Sequence, residues 1–336
     1  MIKEAINIIV SGINLSEAEM AECMKEIMEG KTTDAQIGAF LTALRIKGET
    51  VEEITGAARI MREKASTIKA PEGVLDTCGT GGDMSHTFNI STTTALVVSA
   101  CGVPVAKHGN RSVSSQSGSA DVLEALGVKI DLPPDKVEKC LFETGFGFLF
   151  APLFHPAMKY AIGPRREMGI RTIFNILGPI TNPAGAKKQV LGVFAEKLTE
   201  PLARVLGNLG ARDAMVVHGI DGLDEITLTD GTKVSRYKDN RVENFIISPE
   251  DFGIERGKLE DLVGADKMSN ARITLSILNG EKGPKRNVVL MNSAAALVVA
   301  GKAKDFRGGA AIAAEAIDSG KALKKLEEIK KVSNSL

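Results

Sequence analysis

The chain has 336 residues, a length that favours two domains or one large domain with an added lobe. Hydrophobic residues make up 43% and charged residues 25%, which is typical of a globular protein and argues against disorder along most of the chain. The 42 Lys and Arg residues balance the 42 Asp and Glu residues, so no overall positive field is available to hold nucleic acid or anionic lipid. Any anion-binding site must therefore be local, and we expect neither a nucleic-acid partner nor a membrane partner.

The cysteines and the first residues indicate a reducing compartment. The four cysteines are widely spaced, with no Cys-x-x-Cys pair, so neither a zinc site nor a disulfide framework is expected. The first 15 residues lack the apolar stretch of a secretory signal. No apolar run reaches the roughly 18 residues that a membrane-spanning helix needs. We therefore expect a cytoplasmic protein.

Residues 1–66 show helical patterns only. Three capping boxes, in which a Ser or Thr is followed three residues later by Glu or Gln, each precede an apolar stripe at the helical period. These boxes are Ser16 with Glu19, Thr33 with Gln36, and Thr50 with Glu53. Together with an amphipathic segment before the first box, they predict four helices, followed by a linker over 68–73.

From residue 74 onward, short β-branched runs alternate with helical patterns, which predicts a parallel sheet. The predicted strands are Val74–Thr77, Val103–Ala106, Phe146–Phe150, Gln189–Phe194 and Ala214–His218. The predicted helices between them are Thr92–Cys101, Ala120–Leu126, Asp135–Thr144 and Glu200–Leu209. A hairpin is predicted from Ile226–Thr229 and Val234–Tyr237 around Asp230 and Gly231, and further helices are predicted between Ser293 and Val332.

One segment interrupts this alternation. Residues 155–177 return to the helical period, so we expect the helices from about 155–180 to pack on the leading helices and to make the helical lobe discontinuous. The predicted fold class is α/β. It combines a small N-terminal helical domain over 1–66, joined by the helices from about 155–180, with a larger α/β domain over 73–330 that has a mainly parallel central sheet.

The first motif with chemical meaning is Gly79-Thr80-Gly81-Gly82-Asp83, which directly follows a predicted strand. The segment 87–94 then opens a helix with Ser, Thr and Asn side chains. Closely spaced glycines let backbone N–H groups approach an oxyanion, and a helix N-terminus adds a partial positive charge. The pattern indicates a phosphate cradle. The alternative is a glycine-rich turn with ordinary capping residues.

A second candidate loop, from Lys107 to Asp121, follows another predicted strand. It combines Lys107, His108 and Arg111 with many Ser and Gly residues, so it can offer cations and small hydrogen-bond donors to a polyanion. The alternative, a solvated Ser-rich loop, fits less well because a buried strand and a helix enclose the segment.

Two further motifs are weaker on their own. Asp224 and Glu225 follow the predicted strand 214–218, and adjacent carboxylates suit hydrated Mg²⁺ that also touches a substrate phosphate. The carboxyl ends of parallel strands meet at one edge of a sheet, which would bring this pair to both anion motifs. Arg165 and Arg166 could present a guanidinium fork to a substrate carboxylate, or could be a solvated pair with Glu167 as partner.

Taken together, the runs 79–92, 107–127 and 151–183 and the pair Asp224-Glu225 resemble the anthranilate phosphoribosyltransferase family over nearly the whole chain. The resemblance implies a fold of the nucleoside phosphorylase and phosphoribosyltransferase type, and a homodimer that associates through the helical domain. The implied reaction transfers the phosphoribosyl group of 5-phosphoribosyl-1-pyrophosphate to the amine of anthranilate, releasing pyrophosphate, in tryptophan biosynthesis. Magnesium is the implied cofactor.

The resemblance also implies roles by position. The donor would be held by Gly79, Gly82, Asp83, Thr87, Asn89, Ile90, Ser91 and Thr92, and covered by Lys107, His108, Gly109, Asn110, Arg111, Ser112, Val113, Ser114, Ser115 and Ser119. Magnesium would be bound by Ser91, Asp224 and Glu225, and anthranilate would face Gly79, Asn110 and Arg165, with Arg165 contacting its carboxylate. No general base is assigned, because the aromatic amine is neutral near neutral pH and keeps a free lone pair.

Two alternatives stay open. A pyrimidine nucleoside phosphorylase has similar lobes and a similar glycine-rich loop, but it uses inorganic phosphate and would not need the Asp224-Glu225 pair. A non-catalytic relative that binds a phosphoribosyl group or nucleic acid is disfavoured by the zero net charge and by the presence of both carboxylates.

Overall fold

The computed structural model describes residues 1–112 and 117–336. The chain begins with the four predicted helices, which are α1 (Ile2–Val10), α2 (Glu17–Met28), α3 (Asp34–Lys47) and α4 (Val51–Glu63). The three capping boxes are confirmed. In each box the hydroxyl oxygen accepts the backbone N–H three residues on, and the Glu or Gln side chain accepts the N–H of the cap residue.

Glu53 is fully buried and joins several helices as well as closing a capping box. Its Oε1 accepts the Leu15 N–H at 2.9 Å, and its Oε2 accepts the Thr50 N–H at 2.8 Å and a proton of the Lys47 ammonium at 2.9 Å. One carboxylate therefore ties the α1–α2 connection and the end of α3 to the start of α4.

Across residues 1–112 and 117–336, seven strands form a single sheet. They are β1 (Leu75–Gly79), β2 (Val105–Gly109), β3 (Phe146–Phe150), β4 (Lys188–Gly192), β5 (Asp213–Gly219), β6 (Thr232–Lys238) and β7 (Arg241–Ile247). Their order is β3-β2-β1-β4-β5-β6-β7, in which β1 to β5 pair parallel and β6 and β7 add antiparallel strands at one edge. The mainly parallel sheet that the sequence predicts is confirmed.

Eleven further α-helices connect and cover the strands within the described residues. They are α5 (Ile90–Ala100), α6 (Ser119–Ala125), α7 (Pro134–Thr144), α8 (Ala151–Phe154), α9 (Lys159–Met168), α10 (Phe174–Leu177), α11 (Thr199–Asn208), α12 (Lys267–Leu278), α13 (Pro284–Ala300), α14 (Phe306–Asp318) and α15 (Lys321–Ser335). In the part of the chain that the structure describes, no helix has the length and apolar character needed to span a bilayer.

The two faces of the sheet bury different apolar clusters. Val190 and Val217 lie in the cluster that contains α5, α13 and α15, whereas Leu191 and Val216 lie in the cluster that contains α1 to α4 and α11. Neighbouring residues of a strand point to opposite faces, which explains this division. The leading helices therefore pack towards one face of the sheet, next to α11.

The segment after β3 contacts the leading helices. Helix α9 packs against α2 and α3, and Ala161, Ile173 and Leu177 lie in the same buried cluster as α1 to α4. This segment carries Arg165 within α9. It therefore positions a candidate binding residue from the side of the helical bundle.

The predicted hairpin around Asp230 and Gly231 is wrong. The two antiparallel strands are β6 and β7, and they turn at Asp239 and Asn240, which adopt φ of 50° and 60°. A two-residue hairpin turn of this kind needs positive φ at both central positions, and Asp and Asn tolerate it better than most residues. Residues 226–229 instead belong to the loop that carries the acidic pair.

We expect Glu53→Ala to lower the free energy of unfolding by about 3 kcal/mol, because it leaves two backbone N–H groups without their acceptor and leaves the buried Lys47 ammonium with only the neutral acceptors Asn14 Oδ1 and the Gly48 carbonyl. Urea denaturation followed by circular dichroism measures this change. Glu52→Ala, at an exposed position of the same helix, is the matched control and should shift stability by no more than about 0.5 kcal/mol. Equal losses in the two variants would contradict the role of Glu53.

Candidate active site

The ends of the parallel strands bring the predicted motifs to one edge of the sheet. Strand β1 ends at Gly79, β2 at Gly109, β4 at Gly192 and β5 at Gly219. The glycine-rich loop, the Ser-rich loop and the acidic loop leave from the ends of β1, β2 and β5. Ligands of open α/β sheets bind in this position.

The glycine-rich loop after β1 lies against the acidic loop after β5. The Thr80 N–H donates to the Gly192 carbonyl at 2.9 Å, and the Gly81 N–H donates to Asp224 Oδ2 at 2.6 Å. A Cβ on Gly79 would lie 2.5 Å from that carboxylate oxygen, and a Cβ on Gly192 would overlap the Asp224 backbone oxygen. Both positions need glycine because Asp224 lies directly against the strand ends.

The remainder of this loop is strained and is held at its far end. Met84 and His86 adopt φ of 61° and 51°, values that residues other than glycine rarely adopt. The Gly264 N–H donates to the His86 carbonyl at 2.9 Å, and Thr87 forms an isolated β-bridge with Val263. Strain of this kind persists only where the surroundings fix the backbone.

Three carboxylates from these two loops lie close together. Asp83 Oδ2 accepts the Asp224 N–H at 3.4 Å. Glu225 Oε1 accepts the Ser91 N–H at 3.1 Å, at the first turn of α5. The structure therefore brings together Ser91, Asp224 and Glu225, the three residues that the family resemblance implies as magnesium ligands, and adds Asp83 beside them.

Lys107 reaches the same cluster from β2. It is only 1% exposed, and its Nζ donates to the Thr77 carbonyl at 2.6 Å and to Ser91 Oγ at 3.3 Å. Burial lowers the pKa of the Lys107 ammonium. A buried ammonium beside Ser91 favours an anion bound next to it, because little water is present to screen the charge.

The acidic groups carry more negative charge than their surroundings compensate. Burial raises the pKa of Asp224 well above its ordinary value, and the charges of Asp83 and Glu225 raise that pKa further. Burial also raises the pKa of Glu225 to about 7, although Lys107 opposes the rise. A divalent cation at these carboxylates would favour their ionised forms.

The donor set suits a hydrated cation better than an ion enclosed by protein. Among residues 1–112 and 117–336, no group of three or more His, Cys, Asp or Glu side chains is arranged to hold a metal ion. Mg²⁺ commonly takes one or two carboxylates together with water and substrate phosphate oxygens. Asp224, Glu225 and the Ser91 hydroxyl fit that pattern.

The other predicted residues at the start of α5 are fixed by neighbours. Asn89 donates from Nδ2 to the Ser117 carbonyl at 3.1 Å and accepts at Oδ1 from Asn270 at 3.0 Å. Ile90 and Thr92 are each 1% exposed. The Ile90 N–H donates to the Phe88 carbonyl at 2.7 Å, so of these two residues the Thr92 backbone N–H is the group that could face an anion at this helix start.

The described part of the Ser-rich loop folds back on α6. Arg111 forms ion pairs with Asp121 and Glu124, each at 2.8 Å, and the Ser112 N–H donates to Asp121 Oδ2 at 3.1 Å. A direct contact between Arg111 and a ligand would therefore require exchange of these ion pairs.

The beginning of the same loop is tightly packed. A Cβ on Gly109 would overlap Ser119 Oγ, whose hydroxyl donates to the Asn110 carbonyl at 3.3 Å. Three residues predicted to cover the donor lie outside the described residues: Val113, Ser114 and Ser115.

His108 faces away from the Lys107 cluster. Its Nδ1 lies 3.1 Å from the Gly178 carbonyl, and its ring centroid lies 5.0 Å from that of His155. Burial lowers the pKa of His108 to about 3 and that of His155 to about 4, so both rings are neutral near neutral pH. The Nε2 atoms of both rings are buried, and neither has a hydrogen-bond partner among the described residues. His108 therefore contributes no positive charge to an anion site.

Arg165 is held by an aromatic ring. Its guanidinium lies over the Phe174 ring at 4.9 Å, and burial lowers its pKa. Within the described residues it has no carboxylate partner, and the predicted alternative of an ion pair with Glu167 is not present. Arg166 is exposed. Of the two arginines, Arg165 is thus the one that is partly buried.

Asp221, three residues before Asp224 in the same loop, has a structural role. Its Oδ2 accepts the Thr227 hydroxyl at 2.5 Å and also accepts the Thr229 hydroxyl. These bonds close the loop that presents Asp224 and Glu225.

The sequence analysis missed Arg171. Its Nη2 donates to the Gly82 carbonyl, and its guanidinium lies over the Phe194 ring at 4.4 Å. An isolated arginine in a connection between helices gave no sequence signal. Its contact with the glycine-rich loop depends on how the segment after β3 packs against the sheet.

The chain matches two family models. Residues 3–65 match the helical bundle domain of a glycosyl transferase family, and residues 71–323 match the a/b domain of a glycosyl transferase family. The anthranilate phosphoribosyltransferase of Acetivibrio thermocellus is 59% identical, with 100% of this chain and 97% of that relative covered. The enzyme of the same name from Geobacter sulfurreducens is 58% identical, with 99% of this chain and 100% of that relative covered.

Solved structures of anthranilate phosphoribosyltransferases have the same fold as this chain. The crystal structure of anthranilate phosphoribosyltransferase from Thermus thermophilus has a TM-score of 0.94 at 42% identity, with 98% of this chain and 99% of that chain covered. The Saccharomyces cerevisiae enzyme in complex with PRPP and Mg has a TM-score of 0.91 at 29% identity, with 100% of this chain and 98% of that chain covered. The two family models and the full-length relatives show that this chain belongs to the glycosyl transferase family with these two domains and, within it, to the anthranilate phosphoribosyltransferases.

Proposed function

We propose that the chain transfers the phosphoribosyl group of 5-phosphoribosyl-1-pyrophosphate to the amine of anthranilate, giving N-(5-phosphoribosyl)anthranilate and pyrophosphate, in tryptophan biosynthesis. One observation carries the proposal on the structural side. Ser91, Asp224 and Glu225 form a cluster beside the buried Lys107 and the glycine-rich loop. Relatives more than half identical over their full length carry the name of this activity.

The donor diphosphate would lie between the glycine-rich loop, the start of α5 and Lys107. The Gly81 N–H already donates to Asp224, but the positive φ of Gly81 and Gly82, 69° and 75°, gives the loop backbone a conformation in which the N–H groups of Gly82 and Asp83 can face an oxyanion. Helix α5 adds the partial positive charge of its N-terminus. Gly79, Asp83, Thr87 and the segment 89–92 would form this half of the site.

Magnesium would be held by Ser91, Asp224 and Glu225. When bound, it would neutralise negative charge on the diphosphate. The chain's own contribution is a fixed set of oxygen ligands, because Asp224 is tied to the Gly81 N–H and Glu225 to the Ser91 N–H.

The reaction makes its main demand at the leaving group. Displacement of pyrophosphate from an anomeric carbon passes through an oxocarbenium-like state, so negative charge grows on the departing oxygen. Lys107 and the backbone N–H groups of the loop are held in place before the reaction and stabilise this charge without reorganisation. The contribution of Lys107 is strengthened by burial, which keeps water from screening it.

The acceptor would be positioned by Arg165 through its carboxylate. A planar guanidinium can bind a carboxylate with two parallel hydrogen bonds, and Arg165 has no carboxylate of the described chain to compete for it. Asn110 and Gly79 would line the same side. Fixing the carboxylate orients the amine towards the anomeric carbon, which reduces the entropic cost of the bimolecular step.

No residue of the chain is assigned as a general base. The aromatic amine attacks with its free lone pair, so its proton leaves only after the new C–N bond forms. The two buried imidazoles, His108 and His155, are neutral near neutral pH, and His108 bonds the Gly178 carbonyl. They would shape the acceptor side rather than remove a proton at the start.

The lobe division, dimer and compartment are further parts of the proposal. The helical lobe would comprise 1–66 with about 155–180, and the α/β lobe 73–330. Val10, Ile13 and Ile46 are exposed apolar side chains on the helical lobe, which supports a homodimer that associates through that lobe. The compartment that we propose is the cytoplasm. Sedimentation velocity of the full chain at two concentrations distinguishes monomer from dimer.

The reaction itself is tested by following the fluorescence of anthranilate in the presence of 5-phosphoribosyl-1-pyrophosphate. We expect donor-dependent loss of anthranilate fluorescence with Mg²⁺, no loss with EDTA, and full recovery when excess Mg²⁺ is added back. Turnover that is insensitive to EDTA would contradict the metal role, and the absence of turnover under all three conditions would contradict the function.

Asp224→Asn combined with Glu225→Gln should lower Mg²⁺-dependent turnover roughly a hundredfold or more, since the diphosphate loses its metal. The amide oxygens can still accept the Gly81 and Ser91 N–H groups, and repulsion between buried charges is removed, so the melting temperature should not fall. Asp230→Asn, which changes an exposed acid of the same loop, is the control and should keep wild-type turnover. Wild-type activity in the double variant would exclude the metal role.

Arg165→Ala should raise the anthranilate KM roughly 30-fold, equivalent to about 2 kcal/mol for lost hydrogen bonds to a charged group, and leave the donor KM within about twofold. Arg166→Ala, at the exposed neighbouring position, should change neither KM. Steady-state kinetics with each substrate varied in turn decides the matter. Equal increases in both KM values would assign Arg165 a structural role only.

A further inference from the structure

Arg171 joins the segment that carries Arg165 to the glycine-rich loop. It lies between α9, which ends at Met168, and α10, which begins at Phe174. Its guanidinium donates to the Gly82 carbonyl and lies over the Phe194 ring at 4.4 Å. No acidic partner within residues 1–112 and 117–336 forms an ion pair with it. Its contacts with the chain are therefore directed at the loop and its support.

The Phe194 side of this contact is tied to the same loop. The Phe194 N–H donates to Thr80 Oγ1 at 3.0 Å, and the Thr80 N–H donates to the Gly192 carbonyl at 2.9 Å. Arg171 thus contacts the loop directly at Gly82 and indirectly through Phe194 and Thr80. The end of β4 and the segment after α9 hold the loop jointly.

The bond to Gly82 controls the direction of a backbone donor. The peptide between Gly82 and Asp83 is trans, so the Gly82 carbonyl and the Asp83 N–H point in opposite directions. Fixing the carbonyl on Arg171 therefore fixes the Asp83 N–H on the other side of the same plane. Gly82 adopts a φ of 75°, and a Cβ there would lie 3.0 Å from Arg171 Nη2, so the approach also depends on glycine.

The loop needs this restraint because parts of it are in costly conformations. Met84 and His86 adopt positive φ, and such residues relax unless their surroundings hold them. Gly81 is held from the α/β side by Asp224. Arg171 supplies a restraint from the side of the helical segment, six residues after Arg165 in the chain.

We propose that Arg171 is a positioning residue that couples the two substrate sites, so that binding of anthranilate at Arg165 favours the donor-binding conformation of the glycine-rich loop. The proposal rests on the proposed function, because it takes Arg165 as the acceptor contact and the loop as the donor contact. The coupling is mutual, since a change in one binding free energy must appear equally in the other.

The test compares Arg171→Gln, Arg171→Lys and the control Arg166→Gln with the wild-type chain. Initial rates are measured over a matrix of donor and anthranilate concentrations at saturating Mg²⁺, and donor binding with Mg²⁺ is measured by calorimetry without anthranilate. For the wild-type chain and the control, we expect the donor KM to fall as anthranilate rises. For Arg171→Gln, we expect the donor KM to rise roughly tenfold and to lose its dependence on anthranilate.

The conservative variant and the second readout separate positioning from general damage. Arg171→Lys keeps a charged donor for the Gly82 carbonyl and should recover part of the coupling. A donor KM within about twofold of wild type in Arg171→Gln, or an unchanged dependence on anthranilate, would overturn the proposal. A lower melting temperature with equal increases in both KM values would also overturn it.

Failure of the proposed function gives a different result. If the wild-type chain does not consume anthranilate, that function is wrong, and calorimetry alone then decides the role of Arg171 at the loop. In that case, equal donor affinities of the wild-type chain and Arg171→Gln would overturn the role of Arg171 as well.

Discussion

The structure depends on three carboxylates that meet beside one buried lysine at the ends of parallel strands, with Asp224 buried and Asp83 and Glu225 half-buried. Asp83, Asp224 and Glu225 approach one another through backbone hydrogen bonds, and Lys107 is the cation that reaches Ser91 beside them. Burial makes this excess of negative charge unfavourable, as the raised pKa values of Asp224 and Glu225 indicate. A divalent cation together with a polyanionic substrate satisfies both signs of charge at once.

The glycines of the site follow from the same constraint. Asp224 can lie against the strand ends only because Gly79 and Gly192 have no side chains there. The loop that carries it is closed by Asp221, whose carboxylate accepts two threonine hydroxyls. Gly192 and Asp221, which have no assigned part in substrate binding, thus help determine where the proposed metal ligands Asp224 and Glu225 lie. The acceptor side is built separately, from the helical segment that holds Arg165 over Phe174.

Local patterns predicted much of this arrangement. The capping boxes, the parallel strands and the order of the motifs along the chain were sufficient to place Ser91, Lys107, Asp224 and Glu225 at one edge. Contacts that depend on packing could not be predicted in this way. Four features depend on which elements meet in three dimensions. They are the ion pairs of Arg111 with Asp121 and Glu124, the contact of His108 with the Gly178 carbonyl, the turn at Asp239 and Asn240, and the hydrogen bond from Arg171 to Gly82.

The most direct measurement is a crystal structure of the chain soaked with 5-phosphoribosyl-1-pyrophosphate and Mg²⁺. The account predicts density for the diphosphate between the glycine-rich loop and Lys107, with a metal ion bound by Asp224 or Glu225 and by diphosphate oxygens. A donor bound away from these segments, or a diphosphate bound there with no metal contact to either carboxylate, would contradict it.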